Sequence, residues 1–579
     1  MGTIDQAPLL HRSGWSRLLM YMPLIVGSGI LIVGAYTGYR KWHQAAATAV
    51  ISETTAGVPV PASPLSSIRT VFVILEENHN WAEIESSTTA PFLRDTLLRM
   101  GAHAKQYFNP PGLHPSEPNY IWLEAGSNLG IVDNSDPVFN HRSTTDHLVS
   151  YLSRAGISWK AYAEDIDGAG CPLSNVGKYA VRHVPFLFFD DVTQGNDPGS
   201  PECIAHIRPY SELDADMANN RVARYNFIKP NLNHDMHDGT IADADAWLSR
   251  ELPKIFASRA YQNGGAVFIT WDEGEGGQDG PIGMIVLSPY AKAGYSNSIQ
   301  YNHSSTVRTL QEIFGVSPLL GSSASSTDLS DLFDPAALSA VSVYEDGVVN
   351  NASYASAGVA PGSIVAVFGA NLTDSTPCVA PSCYPTIGPD GSLNKTLSGT
   401  QVLINGSPVP LFYTSPGQVG IQLPFDLTGT SATVQVISGN RRSASRTISV
   451  ATVSPGIFTW RQDGSGAGAI THADGTAVLG SSPAQRGELL ILYGTGFGSV
   501  TPAVATGTIA AGPAATISPL AVLIDGVRVL PDYAGLSGCC VGLNQVNFHL
   551  PAGTRSGAEI PIAVEIGGVR SNNVTVPVR

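Results

Sequence analysis

At 579 residues the chain should hold more than one domain, because single cores stop growing near about 250–300 residues. Apolar residues reach 43% and charged ones only 14%, with 60 Gly and 40 Pro, which excludes disorder and indicates a turn-rich globular protein. The formal charge of −15 excludes a general nucleic-acid binder, which needs a basic face.

Residues 18–39 (LLMYMPLIVGSGILIVGAYTGY) carry no charge and are about long enough to cross a bilayer. Arg12 and Arg17 precede them, and Arg40 and Lys41 follow. The span exceeds the usual apolar core of a cleaved leader, so residues 1–41 read as a cytoplasmic tip plus an uncleaved signal-anchor. Cleavage near Ala45-Ala46-Ala47, giving a secreted protein, is the alternative. Residues 42–66, rich in Ala, Ser, Thr and Pro, read as a linker. The expected location is outside the cytoplasm, with the N-terminal helix as the membrane contact.

From 67 to 335, short apolar runs alternate with helical patterns. The runs are Val71–Leu75, Ala266–Thr270 and Met284–Leu287, each suited to a strand buried on both faces. Helices are expected over 91–101, over 243–258 with a kink at Pro253, and over 306–314. This alternation predicts a layered α/β domain with a mostly parallel sheet.

Beyond about 340 the chain repeats itself. Pro361-Gly362-Ser363-Ile364-Val365 is echoed by Arg486-Gly487-Glu488-Leu489-Leu490, Val402-Leu403-Ile404-Asn405-Gly406 by Val522-Leu523-Ile524-Asp525-Gly526, and Gln422-Leu423-Pro424 by His549-Leu550-Pro551, at offsets of 120 to 127. Two all-β immunoglobulin-like sandwiches are expected, over 345–452 and 453–579. The six cysteines fall in neighbouring pairs, Cys171 with Cys203, Cys378 with Cys383, and Cys539 with Cys540. The pairs fit disulfides of an oxidising compartment, with buried thiols as the alternative.

Five polar segments carry the chemistry: Glu76-Glu77-Asn78-His79, His114-Pro115-Ser116-Glu117-Pro118-Asn119-Tyr120, Asn233-His234-Asp235-Met236-His237-Asp238, Trp271-Asp272-Glu273-Gly274, and Tyr301-Asn302-His303. Two of the acidic segments directly follow apolar runs, at the strand ends where open α/β sheets bind ligands. Carboxylates converging there repel one another unless protonated or bridged by a cation, and oxygen donors suit a hard divalent ion. Ser116 stands at an expected helix N-terminus, as its N-cap, where the helix dipole favours a phosphate and a metal can turn the hydroxyl into a nucleophile. His114, His237 and His303 suit hydrogen bonding to phosphoryl oxygens or protonation of a leaving alcohol.

In this order, the segments resemble the bacterial and fungal phosphoesterase family that contains acid phosphatases and phosphatidylcholine-type phospholipases C, a branch of the alkaline-phosphatase-like superfamily. Trp159–Glu164, His183 with Pro185-Phe186, Asp245–Leu248 and Ile285–Pro289 extend the likeness. The resemblance implies one divalent metal ion on Glu77, Asn78, Asp272 and Glu273, and Ser116 as nucleophile. It further implies His237, His303 and Asp235 about the substrate, and His114 beside the nucleophile. Two features depart from the pattern. Glu273 stands where some relatives have Asp, and Asp279–Gly283 lacks a His or Arg often found there. The repeats resemble TIG-type modules of exported bacterial proteins, a likeness that implies no activity beyond a possible cell-surface or polymer ligand.

The expected function is metal-dependent hydrolysis of phosphate esters through a phosphoserine, as in an exported acid phosphatase. The alternatives are a phospholipase C acting on lipid phosphodiesters and a non-catalytic surface-binding protein.

Overall fold

The computed structural model describes residues 63–275, 279–373, 387–388 and 391–579. The expected anchor, the leader cleavage point, nearly all of the linker, and Cys378 with Cys383 lie outside the described residues. Among the described residues no helix is long and apolar enough to cross a membrane. The chain divides into two compact units, with the boundary between Ser339 and Ala340.

The first unit is built on an eight-stranded sheet. Its strands are β1 (Thr70–Glu76), β2 (Ala102–Ala104), β3 (Trp159–Ala163), β4 (Ile207–Pro209), β5 (Tyr225–Lys229), β6 (Gly265–Trp271), β7 (Met284–Leu287) and β8 (Tyr295–Asn297). Across the sheet they run β4-β3-β5-β1-β6-β7-β2-β8. The five from β4 to β6 are parallel, and β1, flanked within them by β5 and β6, is buried at every position. The apolar run at β7 pairs antiparallel with both neighbours, a departure from a purely parallel sheet. The link 272–283 has no helix among its described residues, so it returns the chain as a hairpin rather than a crossover.

Register is what assembles the site. Glu76 of β1 lies opposite Trp271 of β6, and Ile74 lies opposite Ile228 of β5. The residues just past these pairs, Glu77, Asp272 and Lys229, therefore emerge together at the carboxyl edge of the parallel strands.

Three helices flank that edge: α1 (Ser116–Ala125), α2 (Ile241–Ala257) and α3 (His303–Phe314). Helix α2 runs through Pro253 and starts with a capping box in which Thr240 and Asp243 satisfy each other's backbone N–H groups. Asn302 and Ser305 do the same for α3. Helix α1 stops at Gly126, with φ 67°, where a Cβ would fall 2.3 Å from the Leu320 carbonyl oxygen; only glycine meets both demands. One apolar cluster spans this unit from Leu65 to Leu338. A disulfide joins Cys171 to Cys203.

The second unit is all-β. Strands Ile364–Ala370 and Gln418–Gln422 pair antiparallel, as do their repeat counterparts Leu489–Thr495 and Asn544–His549. Likewise Thr400–Ile404 pairs with Ser431–Ser438, and Leu520–Ile524 with Gly557–Ile566. Each repeat thus carries two antiparallel sheets around its own apolar cluster, the packing of a sandwich. A further cluster joins Ile364 and Phe412 of the first repeat to Ile491 and Tyr493 of the second. Adjacent Cys539 and Cys540 are disulfide-bonded.

Candidate active site

Ser116 is the first residue of α1, not its N-cap; Pro115 holds that position. Freed from capping, the Ser116 hydroxyl donates to Glu77 Oε2 at 3.3 Å, and the residue is 3% exposed. Asn78 follows Glu77 with φ 46°, a left-handed conformation that costs a non-glycine residue energy and marks functional sites. Its backbone N–H donates to Asp272 Oδ1 at 3.2 Å, tying the end of β1 to the end of β6. Asn78 Oδ1 and Asp272 Oδ2 are both buried without a hydrogen-bond partner.

Glu273 is held from two sides. Asn119 Nδ2 donates to its Oε2 at 2.8 Å, and His114 Nδ1 lies 3.0 Å from the same oxygen. The other ring nitrogen of His114 is 2.7 Å from Asp279 Oδ2. Burial works against a charged His114, but the hydrogen bonds and charges of Asp279 and Glu273 outweigh it and raise its pKa. Burial pushes Glu273 up to about 7, against the pull of His114. Asp272 is driven well above the usual carboxylate range, first by burial and then by the charges of Glu77 and Glu273. Glu76 is also driven far up, first by burial and then by the charge of Asp235.

Four sequence-marked residues, Glu77, Asn78, Asp272 and Ser116, are therefore brought together, and Glu273 and His114 adjoin them. The others stand differently. His303 is fully buried, with Nε2 donating to the Asp272 carbonyl at 2.6 Å and Nδ1 within 3.1 Å of the Tyr107 hydroxyl. Both nitrogens thus face protein groups, and burial lowers the ring to about 4. Asp235 Oδ2 lies 2.8 Å from Lys229 Nζ, and its Oδ1 accepts from the His237 backbone N–H. Burial opposes its charge, yet Lys229 holds it at about 2. His237 is half-buried, 3.2 Å from Arg182 Nη2 through its Nε2.

Sequence reasoning passed over Lys229 and Arg182. Lys229 is buried at the end of β5, bonded to Glu77 Oε1 at 3.0 Å and to the Tyr120 hydroxyl at 2.7 Å. Tyr120 in turn donates to Glu77 Oε1. The signal was available: Lys229 closes an apolar run, Phe227-Ile228, just before the Asn233–Asp238 segment. Burial would raise Glu77, but the charges of His183 and Lys229 bring it below its ordinary value. His183 is itself pushed down to about 4 by burial, so near neutral pH the lasting counter-charge is Lys229. Arg182, beside His183, has a buried Nε without a partner and adds a cation near His237.

Residues 86–317 match the Phosphoesterase family. A phosphatidylinositol-3-phosphatase of Mycobacterium tuberculosis is 32% identical over 277 residues, covering 48% of this chain and 86% of that protein. The chain belongs to the phosphoesterase family. A probable acid phosphatase of Kluyveromyces lactis is 29% identical to this phosphoesterase, over 34% of this chain and 48% of the relative. Among solved structures, an alkaline phosphatase superfamily protein from Vibrio parahaemolyticus gives a TM-score of 0.33 at 11% identity, covering 52% of this chain and 76% of that one. The fold described above stands on strand order and register. The phosphoesterase is a hydrolase of phosphate esters, which removes the reading as a non-catalytic binding protein.

Proposed function

We propose that this phosphoesterase cleaves phosphate monoesters by attack of Ser116 Oγ on phosphorus, in a site that holds one divalent metal ion. The observation that carries the reading is the Ser116 hydroxyl 3.3 Å from Glu77 Oε2, next to the unpartnered oxygens of Asn78 and Asp272. These oxygens, two of them buried without a hydrogen-bond partner, fit a hard cation; Glu77, Asn78, Asp272 and Glu273 would hold it. A bound ion supplies Lewis-acid stabilisation of the phosphoryl oxygens and a lower pKa for a serine hydroxyl.

The chain's own residues do the rest. Helix α1 presents Ser116 from its N-terminus, where the dipole favours the incoming phosphate. Arg182 supplies hydrogen-bond donors for its oxygens, and His237, 3.2 Å from Arg182 Nη2 and 2.8 Å from Asp238 Oδ1 through its two ring nitrogens, positions that guanidinium. The Ser116 proton passes to Glu77 Oε2, its acceptor; His114, whose pKa Asp279 and Glu273 raise, releases one of these carboxylates to protonate the departing alcohol and recovers the proton from the water that hydrolyses the phosphoserine. Water then hydrolyses the phosphoserine. His303 holds the Asp272 backbone in place through its Nε2.

Lipid phosphodiester cleavage by the same machinery is the alternative, and a side-by-side assay of an aryl phosphate monoester and phosphatidylcholine separates the two. The monoester is expected to turn over faster, in line with a relative named as a phosphatase. Ser116→Ala is expected to lose at least about a thousandfold in kcat with an unchanged Tm. Near-parental turnover by that variant would refute the nucleophile. Location outside the cytoplasm, tethered through residues 18–39, belongs to the same proposal and is supported by the Cys171–Cys203 disulfide.

A further inference from the structure

Beneath the nucleophile, Glu77, His183 and Asp235 offer ligand atoms that all lie within 4.8 Å of one another. All three side chains are buried, at 0%, 1% and 0% exposure. His183 Nε2 is 3.4 Å from Glu77 Oε1, and its Nδ1 is 3.6 Å from Asp235 Oδ2. Neither nitrogen completes a hydrogen bond, although a buried imidazole normally does. Two carboxylates and an unsatisfied imidazole converging in a dry interior are the donor set of a divalent-cation site.

The cation already there is an ammonium. Lys229 Nζ is 3.0 Å from Glu77 Oε1 and 2.8 Å from Asp235 Oδ2. It is further fixed by the Tyr120 hydroxyl at 2.7 Å and the Leu75 carbonyl at 3.1 Å. We propose that Lys229 stands permanently in a second cation position formed by Glu77, Asp235 and His183, so that this phosphoesterase works with one exchangeable metal ion and not two. The inference rests on the one-metal reading above and adds to it a reason for the count.

The consequence for the reaction is positional. Lys229 and Tyr120 engage Oε1 of Glu77, which leaves Oε2 facing Ser116. An ammonium cannot exchange with solvent ions or be stripped by chelators, so this half of the site is set by the chain alone. Lys229 is a positioning residue: it acts through Glu77 and does not reach Ser116 by any contact described.

The test is metal stoichiometry of the full chain after equilibration with Mg²⁺, Mn²⁺ or Zn²⁺, read by elemental analysis on wild type, Lys229→Ala, Lys229→Arg and Lys229→Ala/His183→Ala. Wild type and Lys229→Arg are expected to hold one ion per chain, Lys229→Ala two, and the double variant one. A merely structural lysine would not create a new ion site when removed. Lys229→Ala is also expected to lose about 10–100-fold in kcat, partly restored as the second ion is titrated in. A folded Lys229→Ala that still holds a single ion overturns the inference. If that variant does not fold, wild type decides: a second ion per chain that disappears in His183→Ala overturns the inference, and its absence, with Lys229→Arg also at one ion, upholds it. Wild type with no ion at all would refute the one-metal reading instead, while a rise from none to one in Lys229→Ala would still uphold the role of Lys229.

Discussion

Glu273 and Asp272 sit side by side in a space too dry for two bare charges, and each resists ionisation: burial pushes Glu273 up to about 7 and drives Asp272 well above the usual carboxylate range. A metal ion can bind them only in their deprotonated forms, so its binding must expel protons. Affinity for a divalent ion is therefore expected to rise with pH through the region near 7, by up to about tenfold per pH unit for each proton released. Titration calorimetry in buffers of different ionisation enthalpy measures that release; an affinity flat from acid to neutral pH would contradict it. At this scale the sequence was most legible where a polar residue follows an apolar run. Glu77, Asn78, Asp272 and Glu273 are all of that kind, because a strand end needs no partner to be recognised. Lys229 follows the same rule, but a lone lysine after a strand is normally solvated. Its meaning depends on Glu77, which meets it only in three dimensions.

Helix α1 is more than a mount for Ser116, because its far end anchors the helix Leu148–Arg154. Glu124 Oε1 accepts from the Val149 backbone N–H at 2.7 Å and lies 2.9 Å from His147 Nδ1. The other nitrogen of His147 is 2.9 Å from Asp191 Oδ1, and the ring stacks on Phe189. Burial opposes a charged His147, but hydrogen bonds to Asp191 and Glu124 outweigh it and raise its pKa. The stability from this charge is complete below the unfolded histidine value of about 6.5 and is lost as pH rises through the higher folded one. Glu124 is raised too, by burial, and acts in the same direction; Asp191 is lowered and opposes it only in stronger acid. The first unit is thus expected to melt at a lower temperature as pH rises from about 6 towards 9, a slope that His147→Gln should flatten. An unchanged slope in that variant would show that the triad does not carry it. Nothing in the local pattern around His147 signals this role, since its partners come from 23 residues earlier and 44 later.

The two units carry separate apolar clusters, one from Leu65 to Leu338 and the others between Val341 and Val578. Within the second unit the repeats share a cluster, so they are expected to unfold together. Calorimetry of the intact chain should then show two transitions rather than one or three. Added divalent ion or inorganic phosphate should raise only the transition of the first unit, since ligands stabilise the fold that binds them. A single transition moved as a whole by phosphate would refute that independence.

The order of apolar runs, helical stripes and repeated β-segments was enough to determine an α/β unit followed by two β-sandwiches, because burial periodicity is a local property of the chain. The same local logic marked most of the acidic residues and the serine of the site. What only the tertiary structure decided is which groups share a space. Strand register set Glu77 against Lys229 and Asp272, the His303 ring met the Asp272 carbonyl and Asp235 met Lys229, and the start of α1 at Ser116 left its hydroxyl to Glu77 rather than to a cap. Those outcomes depend on distances between residues far apart in the chain, which no pattern along it contains.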